Sequence, residues 1–391
     1  MIHITEKQTC CGCAACVQCC PKQCITLEED REGFLYPHVD PDTCIDCHLC
    51  EKVCPCLNPP EKIAPTAVLA AKNRDEEERM ESSSGGLFIA LAKHTLARGG
   101  VVFGAVFDEH WEVKHTCADT IAGVLPMMGS KYLQSRIGNS FREAEKFLKA
   151  GRDVLFVGTP CQITGLHNFL RKDYPNLLSV DILCHGVPSP GVWRRYLQES
   201  TRREAKSPIL TRIKFRSKRE YGWSNYCFVI SGQPAPGKDE TVLHSGRRGK
   251  DAYLRGFLSN LYLRPSCYHC LCKNGVSHSD LTIADFWGIN RLMPDFHDEK
   301  GVGLVLISSE KGQQTIDSLP LETRPSSLDK VRPLNGGFRE EVKIPPQRDL
   351  FYQAFQEGKP LQETIGRLLH VPLYRRISRK IKQIIRKRSK H

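Results

Sequence analysis

Eight cysteines in the first 54 residues set down one pattern twice: Cys10, Cys13, Cys16 and Cys20-Pro21, then Cys44, Cys47, Cys50 and Cys54-Pro55. Each copy reads C-x2-C-x2-C-x3-C-P, and every member recurs 34 residues later, as in a duplicated unit with a pseudo-two-fold axis. This is the ligand spacing of 4Fe-4S clusters: three thiolates on one tight loop cap three iron corners, and the fourth crosses over from the other copy. The expected sets are Cys10, Cys13, Cys16 with Cys54, and Cys44, Cys47, Cys50 with Cys20. Zinc ribbons use two C-x2-C pairs rather than runs of four, and a disulfide framework belongs to a secreted chain. Cys11, Cys19, Cys24 and Cys56 stand outside the pattern.

Residues 1–58 therefore read as a two-cluster ferredoxin-type domain. Between the motifs, Ile25-Thr26-Leu27, an acidic turn over 28–32 and Gly33-Phe34-Leu35-Tyr36-Pro37 predict a short hairpin shielding the clusters. The whole chain has 391 residues, enough for a second core able to bury a cofactor. Its start lacks a signal-peptide layout and no apolar run approaches a membrane span, so a cytoplasmic location is expected.

The net charge of +12 is concentrated at the end: residues 374–391 carry nine Lys or Arg and no acid, which leaves the body nearly balanced. Leu373, Ile377, Ile381, Ile384 and Ile385 share one helical face there, predicting a basic amphipathic helix suited to an anionic membrane surface or an acidic partner. Nucleic acid is disfavoured, because no aromatic residues interleave with the charges beyond Tyr374.

Prolines at 59, 60 and 65 and a charged stretch through Glu81 suggest a linker over 59–81. Ser82–Gly86 then opens an apolar helix ending at Gly99-Gly100. Its exposed amides suit a phosphate, although an ordinary helix cap explains the same residues. Val101–Phe107, Val154–Gly158 and 177–183 read as strands, with helices from Thr159-Pro160-Cys161 to Leu170 and from Pro188-Ser189-Pro190, an alternation typical of α/β sheets. Cys161 and Cys184 lie just past the carboxyl ends of predicted strands, where such sheets bind ligands. With the Cys267/Cys270 pair they could hold a third cluster; zinc, or a cysteine nucleophile beside His185, fits the residues as well. The basic run Arg212, Lys214, Arg216, Lys218 and Arg219 reads as a solvated strand edge or the lining of an anionic substrate site.

Several blocks occur in a telling order: Ser83-Ser84-Gly85-Gly86, Gly129-Ser130-Lys131-Tyr132, Gly158-Thr159-Pro160-Cys161-Gln162, Cys184-His185-Gly186-Val187-Pro188-Ser189, Arg264-Pro265-Ser266-Cys267-Tyr268-His269-Cys270 and Asp285-Phe286-Trp287-Gly288. On these blocks the chain resembles the beta subunits of deazaflavin-coenzyme-dependent hydrogenases and dehydrogenases. Relatives include the beta subunits of some formate dehydrogenases and the plant hydroxymethyl-chlorophyll reductase.

The resemblance implies an α+β ferredoxin-like module with two 4Fe-4S clusters, followed by an α/β FAD-binding domain in two parts, 82–150 and 151–325, with a C-terminal extension over 326–391. It implies a third cluster on Cys161, Cys184, Cys267 and Cys270, with Cys272 departing from the usual pattern. It also implies a flavin held around Ser84, Gly85, Gly86, Ser130, Lys131, Tyr132, Gly158, Thr159, Pro160 and Gln162. The expected activity is an iron-sulfur flavoprotein oxidoreductase linking a ferredoxin-like partner or a hydride-carrying coenzyme to a substrate. His185 and Asp285 are the candidates for proton transfer. A non-catalytic electron-transfer subunit and a metal-stabilised binding protein are the rival classes.

Overall fold

A computed structural model describes residues 1–61, 63–202, 208–273, 278–338 and 342–370. The N-terminal module is built on a hairpin of β1 (Ile25–Glu29) and β2 (Leu35–Val39), paired antiparallel from Ile25↔Val39 to Glu29↔Leu35. Short helices at Ala15–Cys19 and Leu49–Lys52 carry the two cysteine motifs.

The centre of the molecule is an eight-stranded mixed sheet. Its strands in chain order are β3 (Ala67–Asn73), β4 (Val101–Phe107), β5 (Val113–Ala118), β6 (Val154–Gly158) and β7 (Leu177–Ile182), then β11 (Leu281–Asp285), β12 (Gly303–Ile307) and β13 (Leu321–Pro325). They lie in the spatial order β13-β3-β12-β11-β7-β6-β4-β5. The smaller sheet that interrupts the sequence holds β8 (Ile209–Ser217), β9 (Cys227–Gln233) and β10 (Thr241–Arg247). Strands β4, β6, β7 and β11 run parallel, and β12 reverses between β11 and β3. The carboxyl ends of β3, β4, β6, β7 and β11 therefore share one edge. Strands β6 and β12 are buried at all five positions, as expected for strands covered on both faces.

The 59–81 segment is not a linker. Residues 67–73 form β3, which pairs with β12 on one side and β13 on the other, and Glu76–Glu81 is helical. The two parts at 82–150 and 151–325 share one sheet, with β4 from the first paired to β6 from the second. Residues past 326 also enter the body: Phe351, Leu361 and Ile365 are fully buried in the aromatic core with Trp193, Tyr196, Phe215, Phe228 and Tyr253. The basic segment 374–391 lies outside the described residues. Among those described, no helix is long and apolar enough to cross a membrane.

The N-terminal module is seated on this body. Cys13, Ala14 and Ala15 share a core with Phe141, Phe156, Ile163 and Leu166. Gln18 accepts from the Phe141 amide at 3.0 Å, and Arg142 donates to the Gln18 carbonyl at 2.6 Å. At the hairpin, Arg348 forks onto Glu32 at 2.8 and 2.5 Å.

Candidate functional site

All 19 cysteines are unbridged. In the first motif, Ala14 takes a left-handed conformation (φ 57) and starts the short helix that carries Cys16. Cys10 and Cys13 are electrostatic neighbours of Cys16, and Cys54 from the second motif comes beside Cys13. In the second motif, Cys44, Cys47 and Cys50 line a small cavity together with Cys20 and Cys24 from the first. The Cys20 and Cys24 sulfurs are 3.4 Å apart. Each motif thus sends one cysteine across to the other. Burial pushes the Cys16 thiol well above its usual range and Cys19 up to about 12. Ligation by iron would have to displace the Cys16 proton.

The donors around the sulfurs suit thiolate ligands. The Ile2 amide points at Cys50 Sγ (3.3 Å), the Asp46 amide at Cys44 Sγ (3.4 Å), the Arg264 guanidinium at Cys10 Sγ (3.4 Å) and the Val187 amide at Cys267 Sγ (3.4 Å). A neutral thiol is a weak acceptor, whereas a thiolate repays such bonds. Among the described residues no three of His, Cys, Asp and Glu are grouped to hold one metal ion. A cubane does not require that convergence, because its four ligands bind separate corners.

A further set of thiols gathers at the carboxyl edge of the sheet. Cys161 sits in the first turn of the Pro160–Leu170 helix, whose start is fixed by a capping box between Thr159 and Gln162. Cys184 follows β7, and its proton is held by burial among Cys267, Cys161 and Cys270, with Lys273 opposing. Cys272 joins the group beside Cys161 and Cys270. Five thiols are therefore electrostatic neighbours where four were expected, Cys272 with Cys270 among them.

Sequence reasoning left Cys11 and Cys56 without a place. Cys11 contacts Cys13, Cys161 and Cys56, so it bridges the first motif and the sheet-edge set. Hydrogen bonds with Cys11 pull the Cys161 thiol below its usual range despite burial. The one available signal was position, each being adjacent to, or two residues from, a motif cysteine.

The residues expected around a flavin are dispersed in role. The helix from Leu87 begins at Gly86 without a side-chain cap, buried against Asn73 at the carboxyl end of β3. Gly85 is explained by packing alone, because a Cβ there would lie 2.4 Å from the Ala71 carbonyl and the Gly303 nitrogen. Ser84 donates to the Val302 carbonyl at 2.8 Å, while the Ser130 amide and hydroxyl both reach Ser83 Oγ. The Lys131 ammonium faces the carbonyls of Met127, Met128 and Gly129 at 3.1–3.3 Å, and desolvation lowers its pKa to about 7. Tyr132 packs on Phe257 and Phe215. Gln162 is spent on the Thr159 amide (2.9 Å) and Ser135 Oγ (2.9 Å).

The proton-transfer candidates are also engaged. His185 Nε2 meets Asn260 Oδ1 at 2.7 Å, edge-on to Phe257. Asp285 accepts from both Arg216 Nη atoms and from Trp223 Nε1 (2.7 Å). The basic run is not a free anion site: Lys214 and Arg219 pair with Glu81, Arg216 with Asp285, and Lys218 donates to the carbonyls of Arg79, Ser84 and Lys300.

Comparison with known proteins matches two segments of the chain. Residues 9–58 match the family described as a 4Fe-4S dicluster domain, and residues 151–324 match the C terminus of the coenzyme F420 hydrogenase/dehydrogenase beta subunit. A ferredoxin named "Ferredoxin 7Fe" from Hydrogenibacillus schlegelii is 50% identical over 42 residues, 11% of this chain and 47% of that one. The match thus spans about half of that relative's length. An uncharacterized protein from the rpl9-rpl11 intergenic region of Porphyra purpurea is 37% identical over 57 residues, 14% of this chain and 76% of that one. A chain of the F420-reducing NiFe hydrogenase complex from Methanosarcina barkeri, solved as a xenon derivative, aligns over 78% of this chain and 90% of its own at 17% identity, with a TM-score of 0.44. The chain thus joins a 4Fe-4S dicluster domain at residues 9–58 to a segment, residues 151–324, that is similar to the C terminus of the coenzyme F420 hydrogenase/dehydrogenase beta subunit.

Proposed function

We propose that this chain is an iron-sulfur flavoprotein oxidoreductase in which Cys10, Cys13, Cys16 and Cys54 hold one 4Fe-4S cluster, and Cys44, Cys47, Cys50 and Cys20 a second. Cys161, Cys184, Cys267 and Cys270 hold a third, with Cys272 adjacent to it. The observation that carries the reading is continuity: the thiols form an unbroken series from the solvent-facing second motif, through the first motif and Cys11, to the sheet edge. When bound, each cluster supplies a one-electron site, and FAD supplies the exchange between hydride and single electrons.

The protein's own part is positional. The hairpin and the body exclude water from the first motif, and the second stays open to a redox partner at exposed Cys47. The Pro160–Leu170 helix carries Cys161 in its first turn and Gly165 one turn later, where a Cβ would lie 3.1 Å from Cys13 Sγ. One rigid helix thereby fixes the spacing between the two sets. For FAD the amides at the start of the Leu87–Ala97 helix, which no side chain caps, are the proposed phosphate site. Lys131, turned onto three carbonyls, is not assigned to it.

The test is composition on protein purified without oxygen: iron, acid-labile sulfide and released flavin per chain, with spectra before and after dithionite. About twelve irons and one FAD support three clusters and a flavin. About eight irons without flavin would sink the reductase reading and leave a dicluster protein that passes electrons to a partner.

A further inference from the structure

Arg264 is fully buried, and among the described residues it forms no salt bridge with a carboxylate. Its fork is satisfied by neutral acceptors: Nε donates to the Cys10 carbonyl (2.7 Å), Nη1 to Gln134 Oε1 (2.9 Å) and Nη2 to the Leu35 carbonyl (2.9 Å). The guanidinium lies over the Tyr36 ring at 4.3 Å. These contacts take up three of its five N–H groups and leave its charge. An isolated buried cation costs several kcal/mol, so its retention calls for an anion close by. The available one is sulfur. Nη2 is 3.4 Å from Cys10 Sγ.

Among the described residues the second set has no cation hydrogen-bonded to a sulfur. Its sulfurs receive neutral amides from Ile2 and Asp46; the exposed Met1 amino group pairs with Asp46 and Glu51, Arg142 donates to the Cys20 carbonyl at 3.4 Å, and Lys22 lines the cavity at the surface. One cysteine set thus has a full buried charge at a sulfur, and the other has dipoles at its sulfurs. A positive charge stabilises whichever state of a cluster is more negative, the reduced one, and net charge and hydrogen bonds to sulfur are recognised determinants of cluster potential.

We propose that Arg264 is the counter-charge of the cluster at Cys10, Cys13, Cys16 and Cys54, and makes it the stronger electron acceptor of the two in the N-terminal module. The inference rests on the ligand assignment proposed above. It makes Arg264 a positioning residue that acts through Cys10.

The experiment is a reductive titration of the full-length, cluster-loaded protein followed by electron paramagnetic resonance, with iron and sulfide counted for every sample. Arg264→Gln is expected to move the reduction step of the cluster at Cys10, Cys13, Cys16 and Cys54 downward by about tenfold in electron partition, about 59 mV for a one-electron couple, with the step of the cluster at Cys44, Cys47, Cys50 and Cys20 unmoved. Arg264→Lys, which keeps the charge, restores most of that shift. Should Arg264→Gln not retain iron, Gln134→Glu decides, since it sets a carboxylate at the Nη1 contact and pairs the charge in place, with the same downward shift expected. If both neutralising variants lose the cluster while Arg264→Lys keeps it, the charge is required and the proposal stands. The proposal is overturned if either neutralising variant keeps its iron and both steps stay put, or if Arg264→Lys loses the cluster as well, which would make the residue a structural clamp. A wild-type protein without iron or sulfide would sink the cluster assignment itself rather than the role of Arg264.

Discussion

Gly12 and Asp46 occupy equivalent places in the two halves of the cysteine repeat, as do Ala14 and His48, and all four adopt left-handed φ, at 72, 50, 57 and 57°. In each half a short helix follows the second of the pair. The side chains on this shared backbone go to opposite environments. Cys13, Ala14 and Ala15 are 6, 6 and 0% exposed, whereas Cys47 and His48 face solvent. The thiol spacing therefore dictates one loop path twice, and the surface that each loop meets selects the rest: small residues where the body presses, polar ones where water does.

The sharpest way to break the comparison is to exchange the equivalent residues. At Gly12 a Cβ would lie 2.5 Å from Gln134 Nε2 and 2.9 Å from Arg264 Cζ, on a backbone with positive φ. Gly12→Asp is expected to destabilise by about 3 kcal/mol, combining overpacking with the left-handed penalty, and to lower the iron content. A urea midpoint and an iron assay measure the two effects.

The next largest effect tests the clamp that seats the module. Arg348 and Glu32 are 11 and 16% exposed in their side chains and meet through two hydrogen bonds. Arg348→Ala leaves a partly buried carboxylate unpaired, which costs about 2 kcal/mol once residual solvent access is allowed for. The cost should appear in the unfolding midpoint, and limited proteolysis should cut sooner between the module and the body.

A smaller effect comes with acid. His115 is fully buried on the sheet beneath the first motif, stacked on Phe156 and bonded to the Val157 carbonyl at 3.0 Å; burial lowers its pKa to about 4. With an unfolded value near 6.5 the unfolded chain binds the extra proton between about pH 4 and 6.5, so this contribution to stability falls as pH drops through that window. At pH 5.5 the loss relative to pH 7 is about 1.4 kcal/mol, the worth of one pKa unit. His115→Gln should show a drop in unfolding midpoint between pH 7 and 5.5 that is smaller than wild type by that amount; an equal drop in both would refute the assignment.

The local part of this architecture was legible in the sequence and the long-range part was not. Cysteine spacing is a property of one loop, so the motif sets group on spacing alone. The strands at 101–107 and 154–158 were legible because they are unbroken apolar runs. Strand β3 was hidden because Ala67-Val68-Leu69-Ala70-Ala71 is rich in alanine and lies between prolines and charges. The partners of the basic run could not be read either: Glu81 and Asp285 lie 62–138 residues away from the groups they pair with or accept from. Cys11 and Cys56 acquire meaning only when the Pro160–Leu170 helix brings Cys161 to them. Left-handed backbone at Ala14 and His48 had no glycine to announce it.

The reciprocal exchange, Asp46→Gly, should do almost nothing, and that is its value. Asp46 is exposed, and its contact with the Met1 amino group lies at the surface, where ion pairs contribute little. Its positive φ suits glycine at least as well, which offsets the greater freedom glycine gives the unfolded chain. The unfolding midpoint and iron content are expected to match wild type. If Asp46→Gly instead lowers iron content as Gly12→Asp does, solvent-facing residues of the second motif matter to ligand geometry, and the contrast drawn from burial fails at the half where burial is absent.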